Sequence, residues 1–88
     1  LDIGSSSGGF LLYSSEKSKK VYGIEFSKEF EGILNEIEDS SDNVTVFIDD
    51  AFTFDLEKLK PEKFDIIFDD LTLDANSSLK ALNRFLPL

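Results

Sequence analysis

Carboxylates and one glycine-rich loop are the parts of this sequence that could carry chemistry. The 88-residue chain has no Cys and no His, which excludes thiolate catalysis, disulfide frameworks, imidazole general bases and the usual zinc ligand sets. Asp, Glu, Lys, Ser, Thr, Tyr or a bound cofactor remain. The acids fall in a regular way: Asp2 just before Gly4, Glu25 after an apolar run, Asp49-Asp50 after another, and Asp69-Asp70 after a third. The loop is Gly4-Ser5-Ser6-Ser7-Gly8-Gly9. Carboxylates gathered along one crevice repel one another, so they suit a ligand that offers hydroxyls, amines or positive charge. Taken singly, each acid also reads as an ordinary surface residue beside a loop.

Two alternating periodicities supply the elements that must position these groups. Residues 1–3 form an apolar stub that meets Gly4, and Phe10-Leu11-Leu12-Tyr13 begins a helix after the loop. Residues 21–26 read as a buried strand of β-branched and aromatic side chains. Ser27 stands at a helix N-cap, and Phe30, Ile33, Leu34 and Ile37 follow as one apolar stripe on a charged helix that stops near Asp39. A polar turn over 40–43 leads to a third strand at 44–48, at most a helical turn at 56–59 before Pro61, and a fourth strand at 64–68. The last helix starts within 74–78 and places Leu79, Leu82, Phe85 and Leu86 on one face until Pro87. This order predicts an α/β fold, a doubly wound, mostly parallel sheet covered on both faces with right-handed crossovers. Such sheets bind ligands beyond the carboxyl ends of their strands, at the switch point in strand order. Asp2 with Gly4, Glu25, Asp49-Asp50 and Asp69-Asp70 all fall at such ends.

Composition bounds the answer. Eighteen Asp and Glu against nine Lys and Arg give a net charge of −9, which discourages a phosphate backbone from approaching. A length of 88 residues allows one domain, whereas doubly wound domains usually need about 100 to 150 residues. The expectation is therefore a core truncated at both ends. A hydrophobic share of 41% with nine Phe argues against disorder. No apolar run approaches the roughly 20 residues of a membrane span, and the start is not that of a secretory signal, so no membrane partner is expected and cytoplasm is the default localisation.

The loop is first weighed against the dinucleotide fingerprint. Ser6 stands where the middle glycine of GxGxxG lets backbone approach a pyrophosphate, and Asp2 lies in the strand where that pattern keeps an apolar residue. Both departures count against NAD and FAD. A flexible Ser/Gly turn is the plain alternative.

Four stretches together resemble the class I S-adenosylmethionine-dependent methyltransferases, in the order of that family's motifs. Leu1-Asp2-Ile3-Gly4-Ser5-Ser6-Ser7-Gly8-Gly9-Phe10 resembles motif I, in a form similar to the FtsJ-like and haemolysin-A-like RNA methyltransferases. Val21-Tyr22-Gly23-Ile24-Glu25 resembles motif II, and Asp49-Asp50-Ala51-Phe52 the motif that meets adenine. Phe64-Asp65-Ile66-Ile67-Phe68-Asp69-Asp70-Leu71 resembles motif IV. The run Leu71-Thr72-Leu73 departs from the Met-Ala-Pro typical of the RNA enzymes.

The resemblance implies a Rossmann-like methyltransferase core over residues 1–88 with S-adenosylmethionine as cofactor. Its cofactor-binding residues would be Asp2, Gly4, Ser6, Gly8, Glu25, Phe26, Asp50, Ala51 and Phe52. Glu25 would take both ribose hydroxyls, Asp50 the adenine amino group, and Asp2, directly or through water, the ammonium group. Gly4 and Gly8 would let the chain pass close to the cofactor. Phe26 and Phe52 would pack on adenine, with plain core packing as the other reading. Asp70 would be catalytic, aligning or deprotonating the nucleophile, or would instead cap the loop that follows it. The first acceptor to consider is an RNA ribose hydroxyl. A Mg²⁺-dependent small-molecule O-methyltransferase using Asp69-Asp70, and a non-catalytic cofactor-binding or scaffold module of the same fold, remain as alternatives. No metal ligand is assigned, and the oligomeric state is open.

Overall fold

The computed structural model describes residues 1–6, 8–59, 63–71 and 74–87. Ser7 of the glycine-rich loop, Pro61, Thr72 and Leu73 lie outside the described residues. Four strands, β1 (Asp2–Ile3), β2 (Val21–Glu25), β3 (Val44–Ile48) and β4 (Phe68–Asp69), pair in the order β3-β2-β1-β4, and every pairing is parallel. Helices α1 (Gly9–Lys17), α2 (Glu31–Ser40) and α3 (Ala75–Phe85) complete a small α/β domain with two 3-10 turns, Lys28–Phe30 and Leu56–Leu59.

Side-chain alternation along the strands sorts the core into two layers. Val21 of β2 and Val44 of β3 pack with Leu11 of α1 and Leu34 and Ile37 of α2, joined by Val46 and Ile48. The intervening positions point the other way. Tyr22 and Ile24, with Ile3 of β1, meet Phe54, Leu59 and the α3 residues Ala81 and Phe85, and Phe47 packs against that cluster. A period of two thus feeds both faces of one sheet. Each fully buried Leu, Ile or Phe in these layers contributes roughly 1.5 to 3 kcal/mol. Gly23 lets α1 close on the sheet, because a Cβ there would meet Ser5 Oγ at 2.6 Å and Leu11 Cδ1 at 3.1 Å.

Several expectations shift in detail. The fourth strand was expected over 64–68, but the strand itself covers only Phe68–Asp69; before it, Leu1 N donates to Ile66 O at 3.0 Å and the Leu1 carbonyl accepts from Phe68 N–H at 2.8 Å. Phe64 and Ile67 still pack on the α3-side core. Ser27 makes no side-chain cap; a 3-10 turn intervenes and α2 begins at Glu31. Ile33 is exposed, and Leu34 and Ile37 carry the packing. In α3, Asp74 caps the helix by accepting from Ser77 N–H at 2.8 Å. Ala81 and Phe85, four residues apart, face the sheet, whereas Leu79 and Leu86 are exposed. Leu79 lies two residues from Ala81, about 200° around the helix, so it cannot share that face. Among the described residues no helix is long and apolar enough to cross a membrane.

Candidate functional site

The strand register brings the expected polar residues to one edge. Ile3 is level with Ile24 and Asp69, and Glu25 with Ile48, so Gly4, Glu25, Asp49 and Asp70 come at or just beyond the carboxyl ends of adjacent strands. Ladder-like bonds continue past the strands: Gly4 N–H to Ile24 O at 2.8 Å, Asp49 N–H to Glu25 O at 2.9 Å and Asp70 N–H to Ile3 O at 2.9 Å. The chain steps outward from β1 to β2 to β3, then returns to the other side of β1 as β4. That reversal opens a crevice above β1, where α/β sheets take their ligands.

A cleft of about 320 Å³ occupies this crevice, lined by Gly4, Ser6, Glu25, Phe26, Ser27, Asp50, Ala51, Phe52, Asp70 and Leu71. Its size is at the lower end of ligand pockets, which run from about 300 to 1,000 Å³. One wall is the glycine-rich loop. Gly4 and Gly8 take φ of +85° and +88°, and Ser6, without glycine's freedom, takes +43°. A side chain at Gly4 would bring its Cβ within 2.7 Å of the Asp70 carbonyl, so this glycine is also what lets β1 and the end of β4 close together.

Glu25 is the hub of the cleft. Only 7% of it is exposed, Oε1 accepts from Ser6 N–H at 2.6 Å, and Oε2 accepts from Ser27 N–H at 3.0 Å. The carboxylate therefore staples the glycine-rich loop to the chain leaving β2. Each oxygen retains a second lone pair for an incoming hydroxyl. Ser27, read from sequence as a helix cap, contributes through its backbone instead.

The opposite wall is a turn. Asp49 Oδ1 accepts from Asp50 N–H at 2.7 Å, and Asp50 Oδ1 accepts from Phe52 N–H at 2.9 Å. Asp50 Oδ2 has no partner among the described residues. Phe26 and Phe52 are 69% and 39% exposed, so neither packs in the core; they flank the cleft as free aromatic surfaces, with Ala51 buried between.

The Asp69-Asp70 pair divides its labour. Asp69 Oδ1 accepts from Leu71 N–H at 3.3 Å and Oδ2 from Ser78 Oγ at 2.6 Å, tying β4 to α3. Capping of the following loop thus falls to Asp69, and Asp70 is left exposed on the cleft lining. Among the described residues no group of three or more His, Cys, Asp or Glu is arranged to hold a metal ion.

Two expected residues lie elsewhere. Asp2 is 3% exposed within β1, and neighbours Leu1 and Ile3 face the α3 side, so strand alternation turns Asp2 toward α1. Its Oδ2 has no hydrogen-bond partner, and burial pushes its carboxyl above the ordinary Asp range, opposed by the Ser5 hydroxyl and the N-terminal ammonium and reinforced by the Asp70 and Glu25 carboxylates. Gly8 faces α2, where an added Cβ would collide with the Ile37 side chain. Gly8 is not among the residues that line the cleft. Both positions lie inside motif I, which carries no information on which face of the sheet each residue meets.

A larger hollow of about 540 Å³ opens at the other end of the strands, where Lys17, Lys19, Lys20 and Lys63 gather around Val21, Tyr22 and Phe64. It shares only the buried Asp2 with the residues expected at the site. Leu71 lines the cleft and Arg84 braces it from behind, bonding to the Ala51 and Phe54 carbonyls. Arg84 carries no sequence signal, since it acts through contacts 30 or more residues distant along the chain, and Leu71 closes the stretch likened to motif IV without being singled out there as a site residue. No protein-family model and no curated protein matches the chain.

Proposed function

We propose that the cleft binds S-adenosylmethionine and that the chain carries the cofactor-binding core of a methyltransferase with a Rossmann-like fold. The observation that supports this is the convergence of Gly4, Ser6, Glu25, Asp50, Phe52 and Asp70, drawn from all four stretches that resemble the family's motifs, around one crevice at the switch point. Three carboxylates in that lining and no Lys or Arg disfavour a pyrophosphate and favour a ligand with hydroxyl, amino and cationic groups.

When bound, S-adenosylmethionine would supply the electrophilic sulfonium methyl group. Glu25 would accept hydroxyl protons with the lone pairs that Ser6 and Ser27 leave free. Asp50 Oδ2 would accept an exocyclic amino proton, while Phe26 and Phe52 would cover the base and exclude water. Asp70 would hold the acceptor hydroxyl and take its proton as the oxygen becomes nucleophilic. The acceptor we propose is an RNA ribose hydroxyl, on the likeness of the first motif. No metal is assigned to this chemistry: the carboxylate of Asp69, the other half of the acidic pair, is occupied by Ser78 and Leu71.

Isothermal titration with S-adenosylmethionine and S-adenosylhomocysteine tests the reading, with NAD as the competitor. Saturable binding of both sulfur ligands in preference to NAD is expected. A chain that takes up neither, or prefers NAD, sinks the proposal.

A further inference from the structure

The turn of residues 50–54, whose Asp50, Ala51 and Phe52 line the cleft, is anchored by the buried side chains of Ala51 and Phe54, but little within it fixes its backbone. Its sequence, Asp-Ala-Phe-Thr-Phe, contains neither Gly nor Pro, the residues that usually set turn geometry locally. Inside the turn two bonds act among the described residues, Thr53 N–H to Asp50 O at 3.1 Å and Phe52 N–H to Asp50 Oδ1 at 2.9 Å. The carbonyls of Ala51 and Phe54 take part in neither. They are satisfied from outside, by Arg84, the single arginine of the chain. Its Nη1 donates to Ala51 O and its Nη2 to Phe54 O, the latter at 2.8 Å. The two donors of one planar guanidinium thus span the turn from its second residue to its last, a grip that a point charge such as Lys cannot reproduce.

The guanidinium is itself fixed. It sits 5.7 Å from the centroid of the Phe85 ring, and Phe85 and Phe54 are both buried with ring centroids 6.2 Å apart. At its other end α3 is tied to β4 through Ser78 Oγ and Asp69. One helix therefore braces the Asp70 wall and the Asp50 wall together. Without Arg84, two carbonyls behind the turn would lose their partners, and the packing of Ala51 and Phe54 would be left to hold a turn whose backbone, and with it the direction of Asp50, is less firmly fixed.

We infer that Arg84 is a positioning residue for nucleobase recognition: by clamping the Ala51 and Phe54 carbonyls it aims Asp50 into the cleft as an acceptor, and so makes the site select a 6-amino over a 6-oxo purine. The inference rests on the cofactor reading above and extends it to a residue that touches no ligand. A carboxylate acceptor pairs with an amino group and repels a carbonyl, so the selectivity ratio reports where Asp50 points.

The test compares S-adenosylhomocysteine with its inosine analogue by titration calorimetry on the parent, Arg84→Gln and Arg84→Lys, with melting temperatures recorded alongside. The parent is expected to prefer the adenine ligand by about 10-fold or more. In Arg84→Gln the adenine ligand should lose about 10-fold while the inosine ligand changes by less than about threefold, taking the ratio toward one. Arg84→Lys, which reaches one carbonyl, should give an intermediate ratio, and it carries the test if Arg84→Gln fails to fold. General destabilisation would weaken both ligands alike and leave the ratio in place, so a folded variant with the parent's ratio overturns the role of Arg84 and leaves the cofactor reading standing. A parent that binds neither ligand overturns both.

Discussion

Replacing Glu25 by Gln separates what the carboxylate does for the fold from what it would do for a ligand. The side chain is buried and each oxygen accepts one backbone N–H, from Ser6 at 2.6 Å and from Ser27 at 3.0 Å. Glutamine keeps one acceptor and turns the other into a donor, which must face an N–H whichever way the amide is flipped. At least one charge-assisted bond is lost, at about 1.5 to 3 kcal/mol. For a domain of this size each kcal/mol lowers the melting temperature by about 4 to 8 °C, so Glu25→Gln should melt roughly 6 to 24 °C below the parent. Binding is measured by calorimetry well below the variant's midpoint, so that only folded protein is titrated. There the loss of one acceptor for a ligand hydroxyl should weaken S-adenosylhomocysteine by about 10-fold to 150-fold. Glu25→Ala would remove both staples at once and confound the two effects. An unchanged melting temperature would refute the stapling role. A stable, well-folded Glu25→Gln with the parent's affinity would refute the hydroxyl-binding role and leave the staple.

Three further substitutions probe the site from other directions. Gly8→Val should lower the melting temperature, because a Cβ there collides with Ile37 and φ is +88°, while the affinity of the folded fraction stays within about threefold of the parent; selective loss of binding would show that Gly8 does reach the ligand. Asp2→Asn should stabilise the protein at neutral pH. The raised pKa of Asp2 means that its own contribution to stability is fully present below the ordinary Asp value of 3.8 and is lost as pH rises through the folded value; the gap in stability between variant and parent should therefore widen in the variant's favour from about pH 4 toward neutrality, and parallel profiles would contradict the buried, unpartnered carboxyl. Asp70→Ala should reduce methyl transfer by at least about 100-fold with cofactor affinity within about threefold, and a variant with a lower melting temperature but full turnover per folded molecule would move Asp70 from catalysis to structure.

Much of the arrangement was legible from residue order. The near-continuous apolar runs at 21–25 and 44–48 read as strands, because in a sheet covered on both faces every position must be apolar or small. Glu25, Asp50 and Asp70 could be placed at one edge from their positions after apolar runs, since parallel strands all end on the same side. The apolar stripes of α2 and α3 were read too broadly. Ile33 and Leu79 have the spacing of core residues, but which arc of a helix meets the sheet depends on its rotation against partners far along the chain. A two-residue β4 was likewise invisible, because its extent depends on how far β1 runs beside it.

Sequence by itself determined the chemistry available: carboxylates without Cys or His, a glycine-rich turn between a strand and a helix, and an alternation that places acids at strand ends. These are local properties, set by residue type and by periods of two and 3.6 residues. Tertiary structure alone decided how the groups are used. Neighbours Asp69 and Asp70 part company because Ser78, nine residues on, accepts the role of partner to only one of them. Asp2 and Gly8 lie away from the cleft lining, Asp2 buried in β1 and Gly8 against Ile37 and Leu34 of α2. Arg84 acquires a function because α3 carries it across 30 or more residues of sequence to two carbonyls. Contacts of that separation are fixed by packing and register, which no window of sequence contains.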